Sequence, residues 1–541
     1  MVSYLGDKFR LFGMNFIYIF SIIILIIIFI INIQYSSLTF SSWYPLIFSN
    51  SLLSSFAKIL IGVILIILLG VFAKLNKDKN LLRLVIFVNI LTLIFRFLII
   101  NGFNNTPIAD SWSVFNGVNT LFFTNDIQPL YIGNYFSLYP QQLGIVTILY
   151  PLALFFRGNI NLYYFTQVIM IQFIILLLTL SSNKLKGIKT AFVTTVLMNL
   201  FIPNYFISFL IYGDLYALLF LTIAFTLFVF YKNNSNFLKV IFIIIGFLSL
   251  VFAYYARLST NVFIIAIMLT MYLSTKINLK FILKSVLLIS VILFPFTILT
   301  EFYNVKDVEL GKYSFPSNTW LRIGLGYSGF DNTTPGFHDN KTEEEFRING
   351  YDVEKMSEIN TQRINNQILS FRDWDFGFNF FKQKTIIMWT DPDFEMMTLI
   401  IPFKGSKIDN PKKTFYESNY GSGKIDLKPK NKFGEIITAS YFIVRKYEKV
   451  FMFSIFILLI IIFIKSKKDD LLINFSRLLL IGFFLLHLII EIKSRYVFVC
   501  INALIFFVSL YYLDYFNDYY SKFLLYFHRY SIKEGIKYDS K

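Results

Sequence analysis

Cysteine occurs once in this chain, at Cys500, and histidine three times, at His338, His487 and His528. One thiol excludes an internal disulfide framework and any CxxC redox or metal motif, and three scattered histidines argue against a His-rich metal site. No glycine-rich phosphate loop or dinucleotide fingerprint is present, and no internal repeat is visible. Charge is scarce as well. Only 15% of the residues are Asp, Glu, Lys or Arg, against about 25% in a typical soluble domain, so a soluble globular protein is excluded.

What fills the chain instead is hydrocarbon. Of 541 residues, 56% are hydrophobic, and runs such as "MNFIYIFSIIILIIIFIINI" (residues 14–33) exceed the roughly 20 residues needed to cross a bilayer. That first run is too long for a signal-peptide core and lacks a following small-residue cleavage site, so it reads as a retained span. The basic connectors are "GDKFR", "KLNKDKNLLR", "NKLKGIK", "YKNNSNFLK", "TKINLK", "KSKKDD" and the C-terminal tail. Placing all of them in the cytoplasm predicts about twelve spans, near 13–33, 56–73, 84–101, 161–181, 190–209, 215–231, 237–253, 260–275, 281–300, 449–464, 471–490 and 496–513. Both termini are then cytoplasmic. The apolar stretch 138–156 would invert every later loop if it crossed, so it reads as a re-entrant or interface-lying segment, with Pro140 and Pro151 disfavouring a straight helix.

The expected architecture is an all-α polytopic membrane protein with juxtamembrane helices in its first outer loop and a mixed extracytoplasmic loop domain. Residues 1–300 form a transmembrane core containing the first outer loop (102–157). Residues 301–448 form the loop domain, 449–514 the C-terminal transmembrane helices and 515–541 a cytoplasmic tail. The loop domain carries 20 Lys/Arg against 21 Asp/Glu and the rest of the chain 30 against 12, so the positive excess is dispersed over short turns of the membrane part. Dispersion of this kind argues against a nucleic-acid partner. Within the loop domain, Thr342 and Glu345 of "TEEEF" offer a capping box ahead of a helix-like stretch through Ser370, and "SNYGSGK" (418–424) reads as flexible.

This threading gathers the unusual polar residues at the outer face. Asp110 and Asp126 lie in the first outer loop, in a window free of Lys and Arg between Asn101 and Tyr139. Asp214 opens a span, Arg257 and Asn261 sit at a hairpin end, and "EIKSRY" (491–496) joins the last two spans. The loop domain adds Arg322, Lys382, Lys384, Asp391 and Asp393. Each has an ordinary reading: a loop acid or helix cap for Asp110, snorkelling to the interface for Arg257, Lys493 and Arg495, and an Asp-Pro turn for "WTDPDF". The functional reading is that ionisable groups at a membrane boundary mark a site, with arginine forks suited to phosphate. The helix expected at "SWSVFNGVNTLFF" has an apolar side (Trp112, Phe115, Val118, Phe122) suited to the bilayer surface, which would hold Asp110 at headgroup depth. Arg96, inside the third span, is the one charge that a transporter reading would use.

Three stretches carry a family resemblance: "PIADSWSVFNGVNTLF" with "NYFSLYPQQLGIV"; "FPSNTWLRIGLGYSGFDNTTPGF" with "KQKTIIMWTDPDF"; and "HLIIEIKSRYVFVCINALIFF". Together they resemble the GT-C superfamily of membrane glycosyltransferases, in the branch of the bacterial aminoarabinose and protein-mannosyl transferases, with the first loop similar to Gram-positive members. The resemblance implies an enzyme of the cell membrane that moves a sugar from a polyprenyl-phosphate donor to an acceptor hydroxyl on a glycan, glycolipid or protein at the outer face. It implies an aspartate general base in an inverting displacement and cations on the leaving phosphate. Asp110 is the first candidate base. Many members pair two acids in the first loop, whereas Asp110 stands beside Ala109 and Ser111, which leaves Asp126 and Asp214 as further catalytic candidates and leaves a divalent metal open. Arg495, then Arg257, Lys493 and Arg322 are the candidate phosphate ligands. Tyr139, Gln141, Gln142, Asn261, Glu491 and Tyr496 are candidate substrate contacts. The competing classes are a flippase or transporter for lipid-linked saccharides, and a glycan polymerase or ligase with a polyprenyl-diphosphate donor.

Overall fold

A computed structural model of the chain describes residues 2–40, 44–103, 106–107, 109–231, 234–275, 279–303, 308–328, 334–338, 340–399 and 429–538. Among these residues ten helices are long and apolar enough to cross a membrane, and up to twelve if two bent pairs each count as one span. The protein is an all-α polytopic membrane protein. Every expected span coincides with a helix, although 260–275 is a short one, Leu258–Ser274, and 190–209 is the pair Ile188–Leu200 and Pro203–Phe209, bent by 67°. The last span, Ser494–Lys522, is buried almost all round, whereas Leu52–Leu75 and Asn236–Ala256 turn most of their surface outward.

Stretch 138–156 does not run straight. Gln128–Leu138 and Pro140–Phe156 meet at 107°, and the break falls at Tyr139–Pro140. Pro151, by contrast, is accommodated inside helix Leu143–Phe156. The break at residues 201–202 is closed by side chains from other spans. Buried Arg96 donates to Asn199 Oδ1 (2.9 Å), to the Asn204 carbonyl (3.4 Å) and to Gln172 Oε1, while the freed Ile202 N–H donates to Glu448 Oε1 at 2.8 Å. Non-helical backbone at membrane depth needs such partners.

Several of the basic connectors meet at one end of the bundle. Lys186 pairs with Asp514, Lys189 donates to the Lys74 carbonyl (3.2 Å), Lys74 lies 4.0 Å from the Tyr520 ring centre, and Lys468 donates to Asn15 Oδ1 (2.7 Å). The loop domain packs on the other end. Lys384, buried in helix Trp374–Trp389, donates to the carbonyls of Gly324, Leu488 (2.9 Å) and Ile490 (2.9 Å), satisfying the C-terminus of span Leu471–Ile489.

Three elements differ from the expectation. An antiparallel hairpin, Tyr35–Phe40 with Tyr44–Ser49, follows the first span. The helix begun at Phe498 runs on to Tyr538, so the tail expected at 515–541 continues the last span through most of its length. In the loop domain the expected single helix is two, Asn340–Ile348 and Val353–Ser370. Gly350 and Tyr351 between them adopt left-handed backbone (φ 68° and 60°), the break that an Asn-Gly dipeptide favours. Glu345 does not close a capping box; it pairs with Arg322 (2.5 Å) and Arg363 (2.7 Å). Residues 418–424 lie outside the described residues.

Candidate functional site

Helix Ala109–Phe122 carries Asp110 in its first turn, where a carboxylate suits the helix N-terminus. Ala109, one residue earlier, has a left-handed backbone (φ 49°), a costly conformation for a residue with a Cβ. The helix is fixed by its apolar side: Val114, Phe115 and Val118 are buried and pack with helix Leu143–Phe156. This corrects the expectation of a bilayer-facing stripe. Most of the stripe is protein core, and only Trp112 (40% exposed) is turned outward. Ser111 Oγ donates to the Ile211 carbonyl at 3.3 Å, tying this turn to the start of a later span.

The carboxylate of Asp110 meets two cations from the far end of the chain. Arg495 Nη2 donates to Asp110 Oδ2 at 2.8 Å, and Lys493 Nζ lies 3.8 Å from the same oxygen. Arg495 is 2% and Lys493 7% exposed, against 29% for Asp110, so the acid is the solvent-facing member. Burial would raise its pKa, but Lys493, Arg495 and more weakly His338 outweigh it and hold it at about 2. Lys493 also lies 3.6 Å from Glu491, whose Oε1 accepts from Tyr496 OH at 3.2 Å.

A second ion pair stands beside the first. Arg257 Nη1 donates to buried Asp214 Oδ2 at 3.0 Å. Tyr212 and Tyr496 lie against both guanidiniums: their ring centres are 5.6 and 4.7 Å from Arg257 and 5.3 and 5.8 Å from Arg495. Gln142 Nε2 donates to Tyr212 OH at 2.6 Å. Next to Asp110, a cleft is lined by Tyr139, Trp320, Thr319, His338 and Glu343, with the Tyr139 and Trp320 rings 6.0 Å apart. Burial raises the Glu343 carboxyl above its ordinary range, against His338, which lowers it.

The structure thus brings together Asp110, Arg495, Lys493, Glu491, Tyr496 and Tyr139, with Arg257, Asp214 and Gln142 adjoining through Tyr212. Gln141 shares the turn Pro140–Gln142 and is half-buried. Asn261 opens its helix with Oδ1 buried and without a hydrogen-bond partner among the described residues. Two candidates lie elsewhere. Asp126 is exposed and accepts from the Gln128 N–H at 2.9 Å, an ordinary turn cap. Arg322 is built into the loop domain, donating to Asn360 Oδ1 (3.0 Å) and pairing with Glu345. Lys382 lies 5.2 Å from the Tyr35 ring centre, at the hairpin.

Asp391 and Asp393 are fully buried and share Arg445 Nη1, whose other nitrogen donates to the Ser37 carbonyl at 2.6 Å. They are joined by Glu395, which the sequence reading passed over although it continues the acid-at-every-second-position pattern of "DPDFE". His338, Glu343, Trp320 and Tyr212 were also missed, because nothing local marks them. No group of three or more His, Cys, Asp or Glu side chains able to hold a metal ion occurs among the described residues, and Asp110, Asp126 and Asp214 each bind a different partner.

In comparisons with known proteins, no family model, no curated protein and no solved structure matches this chain. The site is therefore defined by its own chemistry. A solvent-facing carboxylate and two buried cations meet at the loop-domain end of a polytopic helical bundle, beside an aromatic cleft.

Proposed function

We propose that the protein is a membrane glycosyltransferase of the GT-C type, moving a sugar from a polyprenyl-phosphate donor to an acceptor hydroxyl at the outer face of the cell membrane, in surface-glycan synthesis, with both termini cytoplasmic. The observation that carries this reading is the meeting of Asp110 with Arg495 and Lys493 across 385 residues of sequence. A lipid-borne phosphate needs cations at the membrane boundary, and an acceptor hydroxyl needs a base within hydrogen-bond reach.

The phosphate group occupies Arg495 and Lys493, where the charge that develops on the leaving oxygen is stabilised. Arg257 stands one tyrosine away. The acceptor lies toward the cleft of Tyr139, Trp320 and Glu343. Asp110 takes the acceptor proton as the new bond to the anomeric carbon forms and the bond from that carbon to the phosphate oxygen breaks, its electrons passing to the phosphate. Configuration inverts. A carboxylate held at about 2 by two cations is a poor base. A phosphate dianion or ester that draws Arg495 and Lys493 to itself returns Asp110 toward ordinary basicity, so donor binding switches the base on.

The test is sugar transfer by the purified chain from a panel of polyprenyl-phosphate sugars. Wild type should transfer from at least one donor, and Asp110→Asn should lose at least about 100-fold. Full activity in Asp110→Asn would move the base to another acid. A wild type that transfers from no donor would favour the transporter or polymerase classes. The transporter class draws on Arg96, whose guanidinium is committed to closing a helix break.

A further inference from the structure

We propose that Asp391 and Glu395 are positioning residues that hold the 493–495 turn in its phosphate-binding shape, acting through Ser494; the inference rests on the phosphate reading above. Ser494 lies between the two cations in sequence, at the start of the 3-10 turn Ser494–Val497. Its backbone N–H donates to Glu395 Oε1 at 2.8 Å, and its hydroxyl lies 2.9 Å from Asp391 Oδ2 and 3.0 Å from Glu395 Oε1. Both donors of this residue are therefore spent on acids of the loop domain, while its neighbours present their charges to Asp110.

The acids are themselves locked. Asp391 Oδ1 and Asp393 Oδ1 share Arg445 Nη1, and Asp393 Oδ2 accepts from the Met397 N–H at 3.2 Å. Phe394 and Glu395 both adopt left-handed backbone (φ 49° and 63°), two costly residues in a row, a conformation that persists only where the surroundings impose it. Met396 N–H donates to the Asp393 carbonyl at 2.9 Å and Thr398 Oγ1 to the Glu395 carbonyl at 2.8 Å. The strained turn has one evident product: it points a buried carboxylate at Ser494. Phosphate recognition by a fork needs its donors fixed in place beforehand. Before the turn Ile490 and Lys493 have extended backbone, and this segment is tied by Ile492 N–H to the Gly336 carbonyl and by Lys384 to the Ile490 carbonyl, upstream of both cations.

The experiment titrates a polyprenyl monophosphate onto the detergent-solubilised full chain, read by native mass spectrometry, with thermal unfolding measured in parallel. Ser494→Ala and Glu395→Ala should each weaken binding roughly tenfold, the loss of charged hydrogen bonds. Ser494→Thr and Glu395→Gln, which keep the donating hydroxyl and the accepting oxygen, should bind within about twofold of wild type on the same grounds. If folded Ser494→Ala and Glu395→Ala bind as wild type does, the proposal is wrong, even where their unfolding temperature falls. Should the alanine variants not fold, Ser494→Cys decides: it keeps the side-chain size but not the strong donor, and unchanged binding would overturn the proposal. A wild type that does not bind the lipid phosphate sinks the phosphate reading itself.

Discussion

Under the proposed function, Asp110 occupies the place that the donor phosphate would take. A carboxylate and a phosphate oxygen present the same chemistry to a guanidinium, so the two compete for Arg495 and Lys493. Replacing the acid by its amide removes the competitor. Asp110→Asn should therefore bind polyprenyl monophosphate several-fold more tightly than wild type while losing the sugar transfer that the proposal assigns to the base. A catalytic base with no role in the resting ion pair would leave that affinity unchanged. The pH dependence has a definite sign. The pKa of Asp110 in the folded protein lies below its ordinary value of 3.8, at about 2. Its contribution to stability is thus complete above the ordinary value and is lost as pH falls through the depressed one. The difference in unfolding temperature between wild type and Asp110→Asn should stay constant from about pH 8 to about pH 5. The absence of cations between Asn101 and Tyr139 was legible in the sequence. The identity of the partners was only a ranking, because the positions of Lys and Arg say on which side of a bilayer a loop lies and not which residues meet there. Arg322 shows the limit: its fork looked suited to phosphate, but Glu345 and Asn360 take it.

Helices reach the site at close quarters through glycine. A Cβ at Gly213 would overlap the Ala256 carbonyl, and one at Gly144 the Tyr255 carbonyl. Helix Gly213–Tyr231 and the helix behind the Pro140 turn both close on the C-terminal end of helix Asn236–Ala256, just before Arg257. Gly213 is adjacent to Asp214, so this contact sets the Asp214–Arg257 pair. Gly213→Ala should destabilise by about 1–3 kcal/mol through overpacking and lower transfer activity. Gly246→Ala, in the interior of helix Asn236–Ala256 where the added Cβ meets nothing within 4 Å, should leave activity unchanged and raise stability by up to about 1 kcal/mol. Thermal unfolding and activity of the two variants side by side make the comparison. The spans were readable because long apolar runs have few other stable forms in lipid. The hairpin after the first span was not, being two six-residue strands with no turn signature strong enough to stand out. The break between Ile348 and Val353 was missed because the capping-box reading outweighed the Asn-Gly pair behind it.

At the scale of the molecule, the bundle has two chemically different ends: basic connectors at one, the loop domain and the ion pairs at the other. The orientation proposed from positive charge can be checked by thiol labelling. Cys500 is fully buried, so the native chain should label weakly and introduced thiols should report cleanly. In sealed vesicles Asp126→Cys and Lys467→Cys, both at exposed positions, should react with an impermeant maleimide from opposite sides. Reaction from the same side would overturn the threading. The positions of the apolar helices and the place of the bent segment were legible from the apolar runs and from Pro140. The docking of the loop domain was not, because it depends on buried pairs such as Lys384 with the Leu488 and Ile490 carbonyls, which only the folded chain brings together.

The ion pair between residues 110 and 495 also sets a time for the site to exist. The acid emerges 385 residues before Arg495, which lies in the turn that opens span Ser494–Lys522. A nascent chain that has inserted all but that span has its carboxylate in place without Arg495 and Lys493 to pair with it. If the proposed function holds, a copy that stops before residues 493–495 lacks two of the cations meant for the lipid phosphate and does not compete for the carrier through them.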